Sequence, residues 1–263
     1  MGNKYRRRVF ISYDNVCPMK CKHCYTYELK LRDKERNVDQ LLTSISDKDF
    51  DIIYLSKSYE NFYKEKKGIV LCKALWEQFH KDIFIITRKK LSDEAIKELA
   101  ELNHHMKESG NGLYLGVSIS AIQSSPILEN QNYCSKAIDR LSNLERAKKI
   151  GIKTVLVLRP LFPDNIISVE EPLSLIEKSE SYIDAVVSSG LIVTDKILYN
   201  LNLKQSDMSY LEEGDSDYLA DMQSDSIKYV DVRSEIKRIK ESCCDKNIPF
   251  FEHSLPALNA ISY

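Results

Sequence analysis

Six short apolar runs recur along the chain: Val9 to Tyr13, Ile52 to Leu55, Ile83 to Thr87, Leu113 to Ile119, Thr154 to Leu158 and Ala185 to Val193. Each is of strand length. The segments IIYL, IFII and VLVL show no polar alternation, which is the pattern of strands buried on both faces, as in a parallel sheet covered by helices.

Between these runs lie amphipathic stretches. In LSDEAIKELAELNHHMKES, Ser92 or Asp93 is placed to cap a helix, and Ile96, Leu99, Ala100 and Leu102 share one face. KAIDRLSNLERAKKIGIK repeats the pattern and ends at Gly151, just before the next apolar run, where a glycine suits the left-handed turn that closes a helix. Strand followed by helix, six times over, predicts an α/β chain: either an open doubly wound sheet or a (β/α) barrel with right-handed crossovers.

No linker interrupts residues 5 to 193. From Leu198 the pattern changes. Residues 201 to 228 are polar and acidic with weak periodicity, which suits a surface excursion or lid. A helix from about Val232 to Cys243 and the apolar tail IPFFEHSLPALNAISY follow. The reading is a core over 1–197 and a C-terminal extension, helical or irregular, over 198–263.

Composition sets the class without changing that outline. With 43% hydrophobic and 29% charged residues the chain has enough apolar surface for a packed core, and no apolar run approaches the length of a membrane span. The basic N-terminus passes into a strand pattern with no apolar h-region, so a cytoplasmic location is expected. A net charge of −1 provides no global basic field for nucleic acid, although Lys4, Arg6, Arg7 and Arg8 form a local exception.

In a reducing compartment, clustered cysteines read as metal ligands or catalytic groups rather than disulfides. Three of the seven, Cys17, Cys21 and Cys24, fall within eight residues. A structural zinc site takes four protein ligands, and His23 is crowded out as a co-ligand by its neighbour Cys24. Three thiolates on a [4Fe-4S] cluster leave one iron open to a small molecule. Structural zinc and incidental buried thiols are the alternatives.

The C-x3-C-x2-C spacing, in the loop directly after the first strand, resembles the signature of the radical S-adenosylmethionine enzymes. The resemblance covers roughly residues 5 to 195 and implies a partial (β/α)6 barrel. It implies a [4Fe-4S] cluster held by Cys17, Cys21 and Cys24, and S-adenosylmethionine on the open iron. Reductive cleavage of that cofactor would give a 5′-deoxyadenosyl radical that abstracts hydrogen from a substrate. A low-potential donor, flavodoxin or ferredoxin, is implied as a partner.

In such a barrel, functional side chains emerge at the C-terminal ends of strands. Arg88 is the expected contact for the cofactor carboxylate, and Ser118 or Ser120 for its ribose. Arg159 is placed to reach cofactor or substrate, and Tyr25 to pack against or hydrogen-bond the cofactor. The family's glycine-rich element after the second strand is replaced here by LSKSYENFY, so Ser56 or backbone is expected to hold the cofactor amine. The family's aromatic before the third cysteine is His23. The bland readings are rim salt bridges for the arginines and turn formation for the serines. Cys72 and Cys134 read as small buried hydrophobes, His104 and His105 as helix-end or solvated groups, and Cys243 with Cys244 as poor candidates for a second cluster.

ITRK, VSIS and LRPLFPDN resemble, more weakly, the spore photoproduct lyase and DNA-photolyase-like branch. That branch carries a hydrogen-returning cysteine after the second strand, where SKSYE has none. The expected substrate is therefore a small molecule, nucleoside or peptide, with nucleic-acid repair or modification the lesser alternative. A cluster-bearing sensor without catalysis is the reading from another class.

Overall fold

The computed structural model describes residues 5, 7–14, 16–24, 35–55, 59–211 and 227–263. One parallel sheet organises the chain. Its strands are β1 (Arg8–Phe10), β2 (Ile52–Leu55), β3 (Asp82–Thr87), β4 (Leu113–Ser118), β5 (Lys153–Leu161), β6 (Ala185–Gly190) and β9 (Phe250–Phe251), in that spatial order. Every neighbouring pair is parallel, with registers such as Phe10↔Tyr54↔Phe84↔Tyr114 running across the sheet. Helices α1 (Val38–Thr43), α2 (Glu65–Phe79), α3 (Asp93–Glu108), α4 (Ser125–Leu128), α5 (Ala137–Lys149) and α6 (Glu170–Ser179) occupy the crossovers. The sheet curls into a partial (β/α) barrel, and six of its seven strands are those the apolar runs predict.

The missing alternation in the strands now has its cause. Ile53, Ile83, Ile85, Leu113, Leu115, Val117 and Leu156 point outward into a core shared with helix residues such as Leu71, Leu75, Leu99 and Leu144. Ile52, Tyr54, Phe84, Tyr114, Val155, Val157, Ala185 and Val187 point into the barrel and pack on Ala257, Leu258 and Ile261. Both faces are apolar because both are covered.

Local signals act where they were expected. Ser92 caps α3, its Oγ accepting from the Ala95 N–H at 3.1 Å, and it also donates to Glu65 of α2 at 2.7 Å. Gly151, just past α5, has φ +75°, a conformation open to glycine at little cost.

Two features differ from the sequence reading. The run Ala185 to Val193 is two strands: β6 ends at Gly190, and β7 (Ile192–Val193) leaves the sheet to pair antiparallel with β8 (Lys228–Tyr229). The turn is tight, since a Cβ on Gly190 would stand 2.9 Å from Val232 and 3.0 Å from the Val230 carbonyl oxygen. The tail supplies a seventh strand, β9, after α7 (Asp195–Leu201) and α8 (Arg233–Asp245). Two residues of FF carry too little pattern to announce a strand.

The last helix, α9 (Ser254–Ala260), packs on β6 and β9 and reaches across to the β1 side, where Tyr5 N–H donates to Asn259 Oδ1 at 2.9 Å. Below it, Tyr263 Oη donates to the Leu113 carbonyl at 2.9 Å and accepts from the Lys153 N–H at 3.0 Å. The tail thus fills the N-terminal end of the barrel and leaves the C-terminal rim for chemistry. Of the proposed excursion, residues 212–226 lie outside the described residues. No helix among the described residues is long and apolar enough to cross a membrane.

Candidate active site

The loop that leaves β1 carries Cys17, Cys21 and Cys24 to the C-terminal rim, and several bonds fix its course. Tyr13 N–H donates to Asn61 Oδ1 at 3.0 Å, and Asn61 Nδ2 donates back to the Ile11 carbonyl at 3.2 Å. Lys22 N–H donates to the Leu128 carbonyl at 2.9 Å, tying the loop to α4. Met19 and Cys21 are buried, while Cys17 and Cys24 are half-buried.

The surroundings of the sulfurs are polar and cationic as well as dry. Burial pushes the Cys17 thiol up to about 12, although its sulfur accepts from the backbone N–H groups of Met19 and Glu60, which favour the thiolate. Cys21 is lowered to about 7, first by a hydrogen bond with Cys134, against burial, and then by the charge of Arg88. Cys134 is raised by the same bond and by burial, so the pair holds its proton on Cys134. His23 is buried and held well below the usual imidazole range by desolvation and by Arg88, so its ring is neutral. Its Nδ1 has no hydrogen-bond partner.

Arg88 is the hub of the charges. Its Nη1 donates to Glu129 at 2.6 Å and its Nη2 to the Arg159 carbonyl at 2.8 Å. Burial acts against its charge, but Cys21 and Glu129 around it more than compensate and raise its pKa. Glu129 also takes both Nη atoms of Arg140, which is wholly buried. Glu60 accepts from Thr87 Oγ1 at 2.9 Å and from the Arg88 N–H at 2.7 Å, and desolvation still raises its carboxyl.

Four of the residues expected to meet the cofactor lie together. Ser120 Oγ donates to the Arg159 carbonyl at 2.8 Å, Ser118 Oγ approaches the same oxygen at 3.5 Å, and Arg88 donates to it as well. Ser118 and Arg159 share the inward parity of Tyr114 and Val157. The Arg159 guanidinium reaches the Glu252 carbonyl beyond β9. Tyr25 and Ser56 lie outside the described residues. Ser188 faces outward and is fully buried, donating to the Leu158 carbonyl at 3.0 Å.

Sequence reading missed Glu60, Glu129, Arg140 and the position of Cys134. Cys134 is buried, as expected of a small hydrophobe, but its Sγ stands 3.8 Å from Cys21 Sγ. Nothing in NYCSK announces that contact across 113 residues of chain.

The partial parallel barrel, with three cysteines on the loop after its first strand, has the fold of the class that the cysteine spacing resembles, the radical S-adenosylmethionine enzymes. A structure of spore photoproduct lyase complexed with dinucleoside spore photoproduct is similar to this chain with a TM-score of 0.66 and 13% identity, covering 92% of this chain and 75% of that one. Native anSMEcpe with bound AdoMet and a Cp18Cys peptide is similar with a TM-score of 0.50 and 11% identity, covering 80% and 54%. No protein-family model and no curated protein sequence matches the chain.

Proposed function

We propose that the chain is a radical S-adenosylmethionine enzyme. The observation that carries the proposal is the position of Cys17, Cys21 and Cys24 on the rim loop after β1 of a partial barrel. The donor set is all thiol, as iron–sulfur clusters prefer. Among the described residues no three of His, Cys, Asp or Glu converge as a single ion would require. Ligands of a polynuclear cluster attach to separate irons rather than to one point, and Cys17 and Cys24 pack together around buried Met19 and Cys21, so the all-thiol set suits a [4Fe-4S] group.

When bound, the cluster supplies the electron that splits S-adenosylmethionine to methionine and a 5′-deoxyadenosyl radical. The chain's own part is to hold and shield. The Met19 and Glu60 N–H groups aimed at Cys17 stabilise its thiolate, and Arg88 places a fixed cation near the other sulfurs. Ser118, Ser120 and Arg159, on the rim beside them, are the contacts we assign to the cofactor ribose and carboxylate. With Arg88 engaged by Glu129, its role is to bring charge to the site while leaving Arg159 to reach outward.

The substrate is a small molecule, a nucleoside or a peptide. The likeness to a lyase whose structure holds a dinucleoside, over 92% of this chain, favours a nucleoside-bearing substrate as the second, finer reading. Against direct repair of a thymine lesion stand the net charge of −1 and the absence of cysteine in SKSYE. The cell compartment is the cytoplasm in this reading, and flavodoxin or ferredoxin is the electron donor.

Anaerobic incubation of the iron-loaded protein with dithionite and S-adenosylmethionine tests the proposal. Formation of 5′-deoxyadenosine, lost in Cys17→Ala, is expected. An intact cluster that yields none points instead to the sensor reading.

A further inference from the structure

The loop that follows α4 has anchors of its own, besides the bond from Lys22 to Leu128 that ties α4 to the cysteine loop. Tyr133 N–H and Cys134 N–H both donate to the Asn130 carbonyl, at 3.0 and 2.9 Å. Lys89 Nζ donates to the Tyr133 carbonyl at 3.3 Å, and Lys90 N–H donates to Ser135 Oγ at 2.8 Å, fastening the loop to the end of β3. Cys134 is thereby held in place by its own turn and by the end of β3. Its Sγ nevertheless lies 3.8 Å from Cys21 Sγ, with both residues only 6% exposed.

A thiol is a weak donor, and a thiolate is the acceptor it meets best. If Cys21 binds iron through its sulfur, the neighbouring Cys134 S–H has that sulfur within reach and little water to compete for it. A donor at a cluster ligand withdraws electron density from the irons and favours the more negative, reduced state. Hydrogen bonds to the sulfurs are one of the levers by which proteins set cluster potentials. The cysteine motif supplies ligands and says nothing of this second layer.

We infer that Cys134 is a positioning residue for the cluster, donating its S–H to the Cys21 sulfur and raising the cluster's reduction potential. The inference rests on the proposed cluster. It assigns Cys134 no iron, because three thiolates and the cofactor complete the set.

The test is a redox titration, followed by electron paramagnetic resonance, of the anaerobically reconstituted full chain as wild type, Cys134→Ala and Cys134→Ser. Iron and sulfide content is measured for each. With equal loading, Cys134→Ala is expected to have a more negative midpoint potential than wild type. Cys134→Ser, which restores a donor, is expected to recover part of the difference. Equal potentials in wild type and Cys134→Ala overturn the inference. So does a loss of iron in both variants, which would make Cys134 a ligand. Were Cys134→Ala not to fold, the serine variant and wild type decide: Cys134→Ser with the full iron content and a potential below that of wild type upholds the inference, and a potential equal to or above it overturns it. A wild-type chain that takes up no iron sinks the cluster itself, which is a separate result.

Discussion

Arg140 and Glu129 meet in the interior with almost no exposure, Nη2 to Oε2 at 2.7 Å and Nη1 to Oε1 at 3.2 Å. Arg140 comes from α5 and also donates to the Ser118 carbonyl at 2.9 Å, while Glu129 is shared with Arg88. One carboxylate therefore couples a helix, the end of β4 and the end of β3 beneath the rim. Removing it leaves two guanidinium groups short of their anion in a dry place. Glu129→Ala is expected to cost about 3–5 kcal/mol of stability, the usual penalty for breaking one side of a buried pair. Urea unfolding measures it, and a loss under about 1 kcal/mol would show that Arg88 and Arg140 find other partners.

Asp184 gives the fold an acid limit. Burial pushes its carboxyl up, but Lys148 Nζ at 2.6 Å and the Thr154 N–H at 2.9 Å outweigh that and hold it below the ordinary carboxylate value. A lowered folded-state pKa means that the stabilisation is complete above the unfolded value and is lost as pH falls through the folded one. The urea midpoint of wild type should thus fall more steeply between about pH 5 and about pH 3 than that of Asp184→Asn. Parallel slopes would contradict the assignment.

Tyr263 closes the bottom of the barrel. Its hydroxyl engages Leu113, Lys153 and Gly151 across two strands and the turn before β5, and its ring lies on Tyr114 with centroids 5.3 Å apart. Tyr263→Phe is expected to cost about 1 kcal/mol for the lost hydrogen bonds, and Tyr263→Ala about 2–3 kcal/mol once ring contacts go too. Gly112→Ala should resemble the alanine variant, because a Cβ there would overlap the ring. Thermal unfolding separates the three, and Gly112→Ala as stable as wild type would show that the ring moves aside freely.

Much of this architecture was legible because periodicity reports burial. Residues 52–55, 83–87 and 154–158 are apolar on both parities, and both sheet faces are covered. Ser92 and Gly151 mark the helix ends that their side-chain chemistry suits. The cysteine spacing was legible for another reason: the residues that share a task lie within one loop. What stayed hidden depends on distant pairing. Glu129 and Arg140 look like surface charges in sequence, since nothing local tells a charge that it has a buried counter-ion. Cys134 looks like a small hydrophobe until the fold sets it against Cys21. Phe250 and Phe251 become a strand only because Val186 and Val187 offer an edge.

The central claim is that Cys17, Cys21 and Cys24 hold a [4Fe-4S] cluster whose remaining iron takes S-adenosylmethionine. Electron–nuclear double resonance of the reduced, reconstituted protein tests it most directly, using cofactor labelled with 15N at the methionyl amine and 17O at the carboxylate. The account predicts resolved hyperfine coupling from both labels to the cluster in wild type. A fully loaded cluster with coupling to neither label would contradict it.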